Sequence, residues 1–501
     1  MRTKSLLLIT VFAFVFATNL LSQETDTINK GVKISGYIQS QYQYFDRVDT
    51  LGAVPHHYAK YFGGDFVNDE TSQRFMLRRG RLKFTHTTKY SSGVLSFDVT
   101  EKSFAVKDFH VKLKENLLES FTFTAGIFSR PFGNEVEFSS SLRESPERSI
   151  MIQTIFPGER DLGLKVNFNP KPESALHFLS VDAAIVNGNG AALETDNYKD
   201  FIGRTKFSTK KDNKKFFASA GFSFYSGNVK HIYEPVDTLS SGVAKKFYIY
   251  SFEEQTNDAG ESFMGFLMDS AATVACGTSG GKVKRQYLGF DMQLAVMSPF
   301  GKLEIRGEYV SGIQPSSINT NQFDKPTVIY NDMNSASPTG PITGVSWPVH
   351  KVPQPYRPVS VGAKEVPHNT LIRKFSGGQL YFVQNLSESG HQIVIKYEWY
   401  DPNTEIEGKE ITTDYIFGST SDSLNVTYLS PADVKYTVLG IGWNWKINEN
   451  VKLGVFYQNV KNEKTGIIKY EGDVNSGWHP HPAMTADIKD DLFTIRIQYN
   501  F

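Results

Sequence analysis

The chain has 501 residues, with 53 Lys and Arg against 53 Asp and Glu, one Cys, and many aromatics (38 Phe and 24 Tyr). The even charge by itself says nothing about nucleic acid or an anionic partner, and the lone Cys276 excludes an intrachain disulfide framework. Past the N-terminal segment no apolar run reaches the length of a spanning helix, about 18 residues.

In chain order, residues 1–22 read as a secretory signal peptide. Arg2 and Lys4 precede an apolar run from Ser5 to Leu21, and Ser22 offers a small residue for cleavage, so the mature chain starts near Gln23 or Glu24. Loss of that leader removes two basic residues and leaves 51 against 53 acidic ones. Any electrostatic function then depends on where the charges point. Residues 23–501 contain no linker and read as one domain.

The first strand signal covers 32–45. Ile34, Ile38, Tyr42 and Tyr44 share one face, and Lys33, Ser35, Tyr37, Gln39, Gln41 and Gln43 share the other. The same period-two pattern recurs at 73–87, 93–100, 105–114, 121–128, 161–169, 175–186, 200–208, 216–226, 285–297, 302–312, 377–386, 391–401, 434–446, 451–461 and 491–501. The connections alternate in length. Short ones lie at 88–92, 115–120, 170–174, 209–215, 298–301, 387–390 and 447–450; long ones lie at 46–72, 129–160, 187–199, 227–284, 313–376, 402–433 and 462–490, and only 101–104 breaks the rule. A sixteen-stranded barrel with both termini in the periplasm has seven tight turns on that side and eight loops outside. The predicted fold is therefore all-β: a transmembrane antiparallel β-barrel of sixteen strands, with long external loops and short periplasmic turns. Its place is the outer membrane of a Gram-negative-type bacterium, with membrane lipid around the wall. Long loops of this kind count against a compact soluble domain.

The last strand puts Phe493, Ile495, Ile497, Tyr499 and Phe501 on one face, ending in an aromatic that suits recognition by the outer-membrane barrel assembly machinery. Trp443 and Trp445 share a face with Leu439 and Ile441, and Trp399 shares one with Ile393, Ile395 and Tyr397, which fits an aromatic girdle.

Strand parity assigns the other face to the lumen. It places Lys33, Arg79, Arg81, Lys83, Lys112, Lys165, Arg204, Lys206, Lys302, Arg306, Lys396, Lys446, Lys452 and Arg496 inward, against Asp98, Asp108, Asp291, Glu304, Glu308 and Glu398. An excess of cations behind a low-dielectric wall raises the local concentration of anions. The segment 129–160 is the third external loop of the predicted barrel, and likeness to sixteen-stranded porins, in which that loop commonly folds into the lumen, implies a constriction loop here. Arg130, Arg143, Arg148 and Arg160 would then line it beside Glu144, Glu147 and Glu159, their guanidinium forks suited to phosphate and carboxylate oxygens.

The stretch Gly126 to Gly133 (GIFSRPFG), Glu147-Arg148-Ser149 and Pro157 to Gly163 (PGERDLG) resemble the phosphate-selective porin O and P family. Gln73 to Leu82, the Asn-Gly run Val186 to Gly190, and Glu304 to Tyr309 are similar to other parts of that family, so the resemblance spans nearly the whole mature chain. It implies a sixteen-stranded homotrimeric porin passing phosphate, polyphosphate or other small anions. Members with strong selectivity carry an arginine ladder and lysine clusters; here Arg79, Arg81 and Lys83 share one strand, and the inward acids argue against tight phosphate specificity.

No Walker loop, Gly-x-Ser-x-Gly, His-Glu-x-x-His or cysteine pair is present, so no enzyme activity and no cofactor are expected. His56-His57 and His479-Pro480-His481 are weak metal candidates, since loop histidines are commonly plain surface residues, and no metal site is expected. The expected function is passive uptake of small anions. The rivals are a non-transporting barrel (surface receptor, adhesin or scaffold, motivated by loops 227–284 and 313–376), a lipid-acting barrel enzyme, and a soluble secreted β-protein.

Overall fold

A computed structural model describes residues 31–45, 73–101, 103–191, 198–209, 215–230, 246–247, 249–256, 262–268, 274–275, 282–316, 370–411, 413–416, 433–465, 468–471, 487 and 491–501. The leader 1–22, His56, His57, Cys276, Trp347, Trp478, His479 and His481 lie outside the described residues.

Sixteen long strands form the wall: β1 (Lys33–Phe45), β2 (Gln73–Thr87), β3 (Ser91–Val99), β4 (Phe104–Lys114), β5 (Phe121–Ser129), β6 (Arg160–Phe168), β7 (Leu179–Val186), β8 (Asp200–Ser208), β9 (Phe216–Lys230), β10 (Lys282–Ser298), β11 (Gly301–Ser316), β12 (Thr370–Leu386), β13 (His391–Asp401), β14 (Tyr436–Lys446), β15 (Val451–Asn462) and β16 (Leu492–Asn500). Each pairs antiparallel with its neighbour in sequence. The circle closes where β1 meets β16, in register from Tyr37↔Asn500 to Phe45↔Leu492. Gly36 and Phe501 exchange backbone hydrogen bonds of 2.9 and 3.0 Å across that seam. Closure leaves no unpaired edge, which is the condition for a sheet to stand in hydrocarbon. All sixteen predicted strands are present; several run longer than expected, most of all β12 and β11. Between β9 and β10, Ile249–Thr256 and Ser262–Met268 make a further hairpin that joins the start of β12 in parallel.

The alternation places the side chains as the sequence predicts. Ile34, Phe109, Leu164, Phe222, Phe290, Ile441 and Ile497 point out and stay exposed, as residues facing lipid do. His391 stacks against Trp443 and Trp445 near the short-turn end, with centroids at 5.5 and 5.4 Å. Trp399 stacks on Tyr397 farther along the same strand. His391 and Trp399 lie roughly 26 Å apart along β13 at ~3.3 Å per residue; at a barrel tilt of about 40° that is ~20 Å of height, inside a lipid-facing band of about 25 Å.

Two β-bulges break the parity. Gln39 pairs with Arg79 but Ser40 pairs with Leu77, so Arg78 is the extra residue. Ser96 pairs with Asp108 but Phe97 with Val106, so Lys107 is extra. Each bulge turns two consecutive charged residues inward, where an unbroken strand allows one.

Candidate functional site

Residues 130–159 leave the wall after β5, enter the barrel and return at β6. Two forces hold them there. The first is apolar. After Ser149, whose side chain caps Ile152 N–H, the chain makes helix α1 (Ile150–Ile155), and Ile150, Met151, Ile152 and Ile155 are all buried. They share a core with Phe132, Phe156, Tyr225, Tyr287, Val310, Phe375, Tyr400 and Tyr436. The Phe132 and Phe156 rings lie 4.9 Å apart, and Phe156 meets Tyr287 edge-on at 5.6 Å. Each such side chain contributes about 1.5–3 kcal/mol by leaving water. Gly289 makes the fit possible, because a Cβ there would lie 2.7 Å from the Phe132 ring. Gly133 turns the chain with φ at +59°, in the left-handed region that favours glycine.

The second force is ionic. Glu147 accepts from Arg78 Nε at 2.7 Å, Arg79 Nη2 at 2.9 Å and Arg496 Nη2 at 2.9 Å, three guanidiniums on one carboxylate. Burial alone would push its carboxyl up, but Arg78, Arg79 and Arg496 outweigh that and hold it well below the usual carboxylate range. Arg306 grips Glu144 and also Glu304. Arg204 donates to Glu137 at 3.1 Å and pairs with Asp291, and Lys165 stands 3.6 Å from Glu137. Arg160 and Arg148 share Glu159, and Arg130 pairs with Asp161 at 2.7 Å.

The wall supplies the remaining polar contacts. Glu308 Oε2 accepts the backbone N–H groups of Asn134 and Glu135 at 3.0 and 2.9 Å. Near the short-turn end, Gln39 donates to Ser140 O, Gln498 to Ser141 O, Lys452 to Arg143 O and Asn444 to Glu144 O, at 2.8–3.0 Å. The loop therefore descends through most of the barrel's depth against β9 to β16 and β1.

On the opposite side, β2 and β6 also touch the loop through Arg78, Arg79 and Lys165, and Phe128, Ala184 and Val186 join its core, but part of this wall is more accessible. Lys83 is exposed there, and Lys107, Asp108, Lys112, Lys165 and Asp182 are partly so. Lys112 on β4, Thr124 on β5 and Lys165 on β6 follow one another across the sheet. Lys83 and Lys112 form no ion pair among the described residues. Arg81 is tied to Asp98 at 2.6 Å and lies over the Tyr37 ring.

Of the twelve predicted cations, Arg79, Arg81, Arg130, Arg148, Arg160, Lys165, Arg204, Arg306 and Arg496 stand in ion pairs, and Lys83, Lys112 and Arg143 form none among the described residues. Most are in ion pairs, because the loop acids and Asp161 stand beside them. The bulge residues Arg78 and Lys107 join the site unpredicted, and only the odd register of β2 and β4 marks them. The buried Arg285–Asp200 pair, with Tyr225, was also missed, although its strand parity is regular. The apolar inner wall was missed as well: Tyr225, Tyr287, Phe375, Tyr400 and Tyr436 face inward yet meet the loop.

Fold and lumen together define the class: a closed sixteen-stranded membrane β-barrel with a loop folded into its lumen, the porin architecture. No family model and no curated protein matches the chain, so membership of the phosphate-selective family stays an expectation. Among solved structures, the chain is similar to a loop L8 deletion mutant of OmpT, an outer membrane protein of Vibrio cholerae (8% identity, TM-score 0.44, covering 94% of this chain and 99% of that one). It is similar to Salmonella typhi OmpF in complex with daunomycin (11% identity, TM-score 0.43, 95% and 99%). It is also similar to a mutant of Rh. blastica porin (9% identity, TM-score 0.41, 94% and 100%). Likenesses this distant add nothing to what the strand ladder already defines.

Proposed function

We propose that this barrel is an outer-membrane channel for passive diffusion of small anionic solutes, phosphate and polyphosphate among them. The observation behind this reading is the open wall of the lumen, where Lys83 and Lys112 form no ion pair among the described residues and Lys165 lies beside them. A cationic strip behind a low-dielectric wall concentrates anions and speeds their entry. Asp182 and Glu137 share that space, 3.9 and 3.6 Å from Lys165, so the preference is moderate rather than strict. The inserted loop limits solute size by occupying the other half of the lumen. The proposal includes export by the 1–22 leader, a homotrimeric assembly, and delivery to the barrel assembly machinery through Phe501.

Reversal potential in asymmetric KCl across a planar bilayer tests the reading. Anion preference is expected, and Lys83→Glu with Lys112→Glu should move the potential toward cation preference. A cation-preferring wild type refutes it.

One observation favours a second reading, a receptor or scaffold without transport: the loop bonds to so much of the wall. That reading requires purified protein to give no discrete conductance steps.

A further inference from the structure

Arg143, at the deep end of the inserted loop, stands apart from every other arginine of the lumen. It is 4% exposed, and none of its guanidinium nitrogens has a hydrogen-bond partner among the described residues. Its backbone is fixed, since its carbonyl accepts from Lys452 Nζ at 2.8 Å. Its surroundings are already rich in positive charge: Arg78, Arg79 and Arg496 share the single carboxylate of Glu147. Arg306 is spent on Glu144 and Glu304. A guanidinium removed from water without a partner is strongly unfavourable, so the position calls for a counter-charge.

The side chain lines a cavity of about 20 Å³ together with Phe138, Arg306, Glu308, Gln379 and Tyr381. That is room for one or two water-sized occupants, a size that suits a monatomic ion. Glu135, also at the cavity, is spent on Ser149 N–H and Oγ. Glu308 gives one oxygen to the loop backbone, and its other oxygen and Gln379 Oε1 lack partners among the described residues. Donors without acceptors thus stand at the Arg143 end and acceptors without donors at the Glu308 end.

We infer that Arg143 holds a monatomic halide, chloride in practice, beside the loop, with a water relaying hydrogen bonds to Glu308 and Gln379. The halide neutralises the buried guanidinium and fastens the deep end of the loop. It is a resident ion away from the open wall, and the inference does not rest on the channel reading.

The test is a bromide soak of crystals of the intact protein with anomalous diffraction. A peak at hydrogen-bond distance from the Arg143 guanidinium supports the inference. An ordinary water there, with no anomalous signal, overturns it. In detergent solution, bromide or chloride should raise the Tm of the wild type saturably over gluconate, which is too large for the cavity, and Arg143→Met should abolish that dependence. Equal halide dependence in Arg143→Met also overturns it.

Discussion

The two halves of the lumen obey the same alternation and reach opposite chemistry. Along β9 to β14 the inward side chains include Tyr225, Tyr287, Val310, Phe375, Tyr400 and Tyr436, and they pack into a core with helix α1. Along β2 to β7 the inward side chains include Lys83, Lys112, Lys165 and Asp182, all in contact with solvent. Parity decides whether a residue faces lipid or lumen. Whether a lumen residue meets water depends on the inserted loop, so a barrel's inner face is part pore and part protein core.

The sharpest way to break this division is Glu147→Ala. It strips the shared carboxylate from Arg78, Arg79 and Arg496 while all three remain buried or nearly so. Removing one partner of a buried ion pair costs about 3–5 kcal/mol. The loop should undock, and single-channel conductance should rise several-fold while the barrel still resists detergent. Unchanged conductance would show that the apolar contacts alone keep the loop in place.

Gly289→Val probes those apolar contacts. Its Cβ would lie 2.7 Å from the Phe132 ring, and overpacking of this sort costs about 1–3 kcal/mol. The expected result is a smaller rise in conductance with more open-channel noise. Gly93→Val on β3 is the control, since nothing lies within 4 Å of a Cβ there; its effect on stability should stay within about 0.5 kcal/mol.

Much of this is legible in the sequence. The period-two pattern located every barrel strand, because a wall with lipid on one side and the lumen on the other imposes alternation all along it. The long stretch between β5 and β6, rich in Arg and Glu, marked the inserted loop. What failed to show was pairing across distance. Glu147 and Arg496 are far apart in sequence, and no local pattern says that one will neutralise the other. Arg78 and Lys107 were lost to bulges, which reverse parity without a sequence signature of their own. Tyr225 and Tyr400 looked like any aromatics on a strand; only the helix packed against them makes them core.

The smallest expected effect is a null over a defined pH range, and it discriminates between the halves. The Glu147 carboxyl is held well below its ordinary value by Arg78, Arg79 and Arg496, despite burial. A carboxylate depressed in the docked state gives stability that is fully present above its ordinary pKa, ~4.3. That stability is lost progressively as pH falls from there to the depressed value. Conductance recorded from neutral pH down to ~4 should therefore stay flat, and the loop should loosen only in stronger acid, where the wild type converges on Glu147→Gln. A rise centred on the ordinary carboxylate range would mean that Glu147 is solvated and that the covered half of the lumen is open to water like the other.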